Sequence, residues 1–238
     1  MFIRSGNLAK PVSSLMVWSE SNSPKSCLLL LPGRGGTSTH MMQTYRNMGL
    51  DDTLYVSVTP EKMEWYPMPN GASDQENAIA GLQPACEAID LILQQINKKF
   101  GFGLNQIGLV GFSAGAVMAL YCSVYLPYKF PVIVSHAGAI LDPQLFPKCS
   151  EEKLEIPIVL FHNMDDIVFS WEERYKPMRK CLKQKGYRVT TAEKKWGGHG
   201  VSVADIVTMS RFVSKHLKCK NRYFGNILSR AFSQFTFG

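Results

Sequence analysis

Short, almost wholly apolar runs alternate along this chain with longer stretches of mixed polarity. The runs at 15–19, 27–31, 53–58, 107–111, 131–135, 156–161 and 187–192 have the length and apolar content of strands. Most show no polar alternation, and a strand that is apolar on both faces belongs in a parallel sheet covered by helices on each side. Between them, 75–99, 114–125, 171–185 and 203–217 read as helices, with Pro84 expected to kink or divide the first. This alternation predicts an α/β domain with a mostly parallel, doubly wound sheet and helices on both faces. Right-handed crossovers would gather the C-terminal strand ends, and the loops leaving them, along one rim. Reactive groups are expected on those loops.

Length and composition narrow the picture. The chain has 238 residues, 45% apolar and 19% charged, which suits one folded domain and excludes a disordered chain. Residues 1–217 account for that domain, and 218–238 form a basic, aromatic extension beyond its last helix. Lysine and arginine outnumber acids by 26 to 19, but the excess is dispersed and forms no arginine-rich tract. It reads as solubility and weak steering, and no nucleic-acid partner is expected. Residues 1–14 hold no continuous apolar segment, so no secretory leader is expected, and the run at 27–31 is far too short to span a bilayer. Six scattered cysteines lack CxxC pairs and metal-ligand spacing, which points to reduced thiols, a cytoplasmic location and no cofactor. The extension mixes Lys218, Lys220, Arg222 and Arg230 with Tyr223, Phe224, Phe232, Phe235 and Phe237. It is compatible with weak contact at a membrane surface, with packing on the domain, or with linking subunits.

The most specific chemical signal is Gly111-Phe112-Ser113-Ala114-Gly115, a G-x-S-x-G pattern between the strand at 107–111 and the helix at 114–125. A sharp strand-to-helix turn there holds the serine hydroxyl above the sheet edge, and the flanking small residues let strand and helix approach. Ser113 is therefore the candidate nucleophile. Near neutral pH it needs a base, which in this arrangement follows the last strand, while an acid follows the strand before it. His40 precedes the serine, at the start of a helix; His136 and His162 end earlier strands; His216 lies late in the last helix. His199 alone follows the last strand, in Trp196-Gly197-Gly198-His199-Gly200. Two adjacent aspartates, Asp165 and Asp166, leave the strand at 156–161, and either could be the acid by position. Pro32-Gly33-Arg34-Gly35-Gly36-Thr37 supplies a glycine-rich loop. The backbone N–H groups of Arg34 and Ala114 are assigned as its oxyanion-binding pair.

With these parts placed, 27–217 resembles the phospholipase/carboxylesterase family, which includes the acyl-protein thioesterases. The family's L-H-G-x-G-D loop corresponds to Leu31-Pro32-Gly33-Arg34-Gly35-Gly36, and its G-F-S-Q-G-G motif to Gly111-Phe112-Ser113-Ala114-Gly115-Ala116. Its H-G-x-x-D-x-x-V segment sets the acid four residues after the histidine, which selects Asp166, and its G-H motif falls on Gly198-His199. Trp65-Tyr66-Pro67 resembles an aromatic stretch that lines the acyl pocket of some members. The resemblance implies an α/β-hydrolase fold with little or no lid domain, no cofactor, and hydrolysis of a small-molecule ester or acyl substrate. The catalytic set is then Ser113, Asp166 and His199, with Trp65 and Tyr66 as substrate-binding residues. The chain departs from the family at Pro32, Gly36, Asn163 and Ala114, where His, Asp, Gly and Gln are usual. Carboxylesterase is the leading expectation, with acyl-protein thioesterase or lysophospholipase as alternatives. A hydrolase-fold binding protein that has lost catalysis is the rival from another class, and its signature would be a broken triad.

Overall fold

The computed structural model describes residues 12–67, 72–144 and 146–222. Its seven strands are β1 (Val12–Trp18), β2 (Ser26–Leu31), β3 (Thr53–Pro60), β4 (Ile107–Phe112), β5 (Ile133–His136), β6 (Ile158–Asn163) and β7 (Val189–Lys194). They form one sheet in the order β1-β3-β2-β4-β5-β6-β7. β1 lies antiparallel to β3 at one edge, and every other neighbouring pair is parallel. Five helices accompany them: α1 (Ser38–Tyr45), α2 (Ala72–Phe100), α3 (Ala114–Tyr125), α4 (Lys176–Gln184) and α5 (Val203–Leu217).

The apolar runs explain the layering. Leu28, Leu29, Leu30 and Leu31 are all fully buried, yet they point alternately to two different cores. Leu29 and Leu31 pack under α2, α3 and α4, while Leu28 and Leu30 pack under α1 and α5. Burying one leucine is worth roughly 1.5–3 kcal/mol, so β2, between β3 and β4, is a main anchor of both layers. The mostly parallel sheet between helical layers is the α/β-hydrolase architecture. Among the described residues no connection inserts a lid domain. Among its described residues, the long connection 137–157 contains a single 3-10 turn, Glu151–Lys153.

Some expectations are corrected. α2 runs through Pro84 without a break. That proline is exposed, on the side where water can satisfy the carbonyl its missing N–H leaves unpaired. The helix expected at 171–185 opens with a wide i→i+5 turn, Trp171–Tyr175, before α4 begins. The extension beyond 217 does not leave the domain at once. Asn221 bridges to Leu50, Arg222 N–H donates to Gly49 O at 3.0 Å, and the Arg222 guanidinium pairs with Asp51 and Glu20. Residues 223–238, with most of the aromatic tail, lie outside the described residues. No described helix is long and apolar enough to cross a membrane. All six cysteines are free thiols.

Candidate active site

Ser113 sits between β4 and α3 with φ 53° and ψ −120°, a backbone conformation that L-residues rarely adopt. Such strain costs about 1–3 kcal/mol and persists only where the surroundings impose it. Here they do. Ser113 N–H donates to His136 O at 2.9 Å, and Ser113 O accepts from Ala116 and Val117 N–H at 2.9 and 3.1 Å. The flanking glycines are sterically required. A Cβ on Gly111 would lie 2.2 Å from Gly115 O, and one on Gly115 would lie 2.0 Å from Leu31 O. The first turn of α3 is thus pressed against the end of β2.

The loops after β6 and β7 bring the acid and base to this serine. His199 Nε2 is 2.8 Å from Ser113 Oγ, and His199 Nδ1 is 2.8 Å from Asp166 Oδ2. Asp166 is buried, and its other oxygen accepts from Val168 and Phe169 N–H at 2.8 and 3.0 Å. Burial alone would raise the Asp166 pKa. The hydrogen bonds from His199, Phe169 and Val168, with the charge of His199, outweigh it and hold the carboxyl below its ordinary value. An imidazole linked on one side to a hydroxyl and on the other to an ionised carboxylate can accept the hydroxyl proton as the oxygen attacks a carbonyl.

The other histidines are engaged elsewhere. His162 is buried, donates Nε2–H to Phe169 O at 2.8 Å, and stacks on Tyr175 at 4.4 Å. Burial lowers its pKa, an effect partly offset by Asp166 at 3.9 Å. His136 is driven down to about 4, first by burial, with Asp205 opposing. His40 is exposed on α1, and His216 packs against Phe212. Asp205 accepts from Lys194 Nζ and from Ser202 N–H and Oγ at 2.7–2.8 Å, capping α5 just beyond the His199 loop.

The glycine-rich loop follows β2. Its Gly35 and Gly36 N–H groups are taken by Met63 O (2.8 Å) and Gly33 O (3.0 Å). Arg34 N–H has no acceptor among the described residues. Ala114 opens α3, so its N–H is one of the helix's first amides, which have no intrahelical partner. The Arg34 side chain is half exposed and lies 3.9 Å from Glu64. Trp65 and Tyr66 are both buried, and Trp65 Nε1 donates to Pro32 O at 2.9 Å. Together with Pro60, Pro67, Pro84 and Ala88 they also line a surface pocket of about 280 Å³ that Ser113 and His199 do not line. No group of three or more His, Cys, Asp or Glu side chains fit to hold a metal occurs among the described residues.

Two residues emerge that sequence reasoning did not assign. Asn163 Nδ2 donates to Gly198 O at 2.8 Å, and the Asp165 carboxylate accepts from Gly198 and Gly197 N–H at 2.8 and 3.2 Å. The one available signal was Asn163 standing where the related motif has glycine. Asp165, the other candidate acid by position, caps the base loop's amides.

Comparison with known proteins supplies the family. The sequence pattern of the phospholipase/carboxylesterase family matches residues 13–217. The chain belongs to that family. Members of the phospholipase/carboxylesterase family are hydrolytic enzymes that act on esters. Acyl-protein thioesterase 1 homolog 2 of Dictyostelium discoideum is 26% identical over 129 residues, which are 53% of this chain and 53% of that protein. The chain therefore matches about half the length of this curated relative. Among solved structures, esterase PE8 superposes with a TM-score of 0.71 at 24% identity, covering 84% of this chain and 96% of that one. Acyl-protein thioesterase 2 of Zea mays gives 0.73 at 18% identity, covering 85% and 98%. At such identities these likenesses speak for the shared fold.

Proposed function

We propose that this chain is a cofactor-independent serine esterase that cleaves carboxylic esters through Ser113, His199 and Asp166 and an acyl-enzyme intermediate. The observation that carries this reading is the unbroken line from Asp166 through His199 to Ser113, with both links at 2.8 Å. With its proton on Nδ1 facing Asp166, His199 takes the Ser113 proton at Nε2 as the serine attacks. It then returns that proton to the leaving oxygen. The Arg34 and Ala114 N–H groups receive the oxyanion, and a single such donor is worth about 3 kcal/mol. Water, activated by the same imidazole, then releases the acyl group. Trp65 and Tyr66 form the apolar wall beside the oxyanion loop, and the Trp65 indole bond to Pro32 O ties that wall to it. Ile167 and Trp196, on the loops that carry the acid and base, are 92% and 78% exposed, which favours substrates with an apolar portion. A thioester substrate is the second reading, favoured by the match to an acyl-protein thioesterase homologue. The reduced cysteines fit a cytoplasmic setting.

The test is hydrolysis of chromogenic esters from acetyl to long acyl, beside an acyl-thioester series and fluorophosphonate labelling. Labelling plus ester turnover is expected, and the preferred chain and leaving group separate esterase from thioesterase. Folded protein that neither labels nor turns over would instead be a binding protein on a hydrolase fold.

Asp166→Asn probes the acid separately. The amide oxygen would stay with the Val168 and Phe169 N–H groups, turning its NH2 toward His199 Nδ1. That forces the imidazole proton onto Nε2, against the serine. A fall in kcat of about 10⁴-fold is expected, with the thermal midpoint little changed. Retained turnover would point to another acid.

A further inference from the structure

We infer that Asn163 and Asp165 are positioning residues that hold the His199 loop in register with Asp166, so that one four-residue segment both carries the acid and aligns the base. The inference rests on the triad reading above and extends it to side chains that touch neither substrate nor imidazole.

The loop 195–201 is intrinsically compliant. Gly197, Gly198 and Gly200 surround His199, and Gly197 and Gly198 have φ of 146° and 57°. Glycine adopts such conformations freely and holds none of them by itself. The shape must therefore be imposed from outside. Asp165 grips the donor side: Gly198 N–H reaches Oδ1 at 2.8 Å and Gly197 N–H reaches Oδ2 at 3.2 Å. Asn163 grips the acceptor side, giving Nδ2–H to Gly198 O at 2.8 Å and, more weakly, to Gly200 O at 3.4 Å. The Met164 N–H bond to Lys194 O (2.8 Å) closes the seam between the two loops. Gly198, directly before the base, is thus held through both its N–H and its C=O.

The fit is close. A Cβ on Gly197 would lie 2.6 Å from Asn163 Nδ2, so the amide already occupies the space beside the loop. Asn163 is buried, whereas Asp165 is only partly so. The two amide donors, Gly198 first, draw the Asp165 carboxyl below its ordinary pKa, so it stays an ionised acceptor at neutral pH. A glycine at 163, usual in the related motif, has no side-chain donor. The acceptor-side grip therefore belongs to this chain's own sequence.

Because the grip acts on backbone that places the imidazole, its loss should appear in turnover and not in binding. Asp165→Ala is expected to lower kcat about 10- to 100-fold, the scale of a small misplacement of a reacting group, with KM nearly unchanged. Asp165→Asn, which keeps one acceptor, should fall between wild type and alanine. Asn163→Asp, an isostere that turns a donor toward two carbonyls into an acceptor, should lose kcat similarly. Amide hydrogen exchange at Gly197 and Gly198 supplies a readout independent of activity, and it should accelerate in Asp165→Ala while the core amides stay protected. Wild-type kcat in Asp165→Ala, a loss confined to KM, or unchanged exchange at those two glycines would overturn the inference. If the wild type itself neither labels nor turns over, the triad reading has failed, and the exchange measurement alone decides this one.

Discussion

Ser113→Ala is expected to reduce kcat by about 10⁵- to 10⁶-fold, the loss typical when the nucleophile of a serine triad is removed. The hydroxyl 2.8 Å from His199 Nε2 is the group this site has arranged to attack, and alanine leaves the imidazole with nothing to activate. Alanine should keep the same strained turn, because the bonds from Ser113 N–H to His136 O and from Ala116 and Val117 N–H to Ser113 O are all made by the backbone. Substrate binding and the thermal midpoint should consequently change little. The residual rate, from the oxyanion donors and binding alone, should still exceed that in water. Steady-state kinetics and covalent labelling, measured on the same preparation, make the check. A variant within tenfold of wild type would mean that the chemistry runs elsewhere.

The second large effect is on stability. Gly115→Ala should destabilise the fold by about 4 kcal/mol or more, among the largest single-substitution effects and of the kind caused by overpacking. The added methyl would lie 2.0 Å from Leu31 O and 2.5 Å from Pro32 O, and both obstacles are backbone. Leu31 closes a strand that is buried throughout, so it cannot move aside without disturbing both cores. Displacing α3 instead would carry Ser113 away from His199. For a chain of this size, about 4 kcal/mol corresponds to a fall in midpoint on the order of 10 °C. Denaturant and thermal unfolding would reveal it, and an unchanged midpoint would show that helix and strand are not in such close contact.

Much of this was readable in the residues. The buried strands announced themselves because parallel strands covered on both sides lose polar alternation, as Leu28–Leu31 shows. The grouping of Ser113 with His199 followed from chain order and the small-residue turn, whereas the choice of Asp166 over Asp165 needed the family spacing. The errors have physical causes. Pro131 and Pro157 were counted near strand starts, yet β5 and β6 begin at Ile133 and Ile158, since proline offers no N–H to the ladder. The same strands, with β7, run on through polar residues: His136, His162, Asn163, Glu193 and Lys194. Apolar pattern does not carry the strands through Asn163, Glu193 and Lys194, because these side chains are kept at the strand ends by partners far along the chain. α1 was marked only by its third residue, His40, as its sequence STHMMQTY carries a weak apolar stripe. The roles of Asn163, Asp165 and the Trp65 indole depend on backbone atoms more than thirty residues away, and no local pattern encodes such pairings.

The junction between the β6 and β7 loops also bears on how this protein can diverge. Asn163, Asp165 and Asp166 act on three different groups within four consecutive positions. A one-residue insertion or deletion there would put all three out of phase at once, so length should be frozen in this segment even where side chains drift. The exposed turn 20–25 between β1 and β2, by contrast, places no side chain of the site. Anyone transplanting the His199 loop into a related scaffold would have to move the Asn163–Asp166 segment with it, because the two behave as one heritable unit.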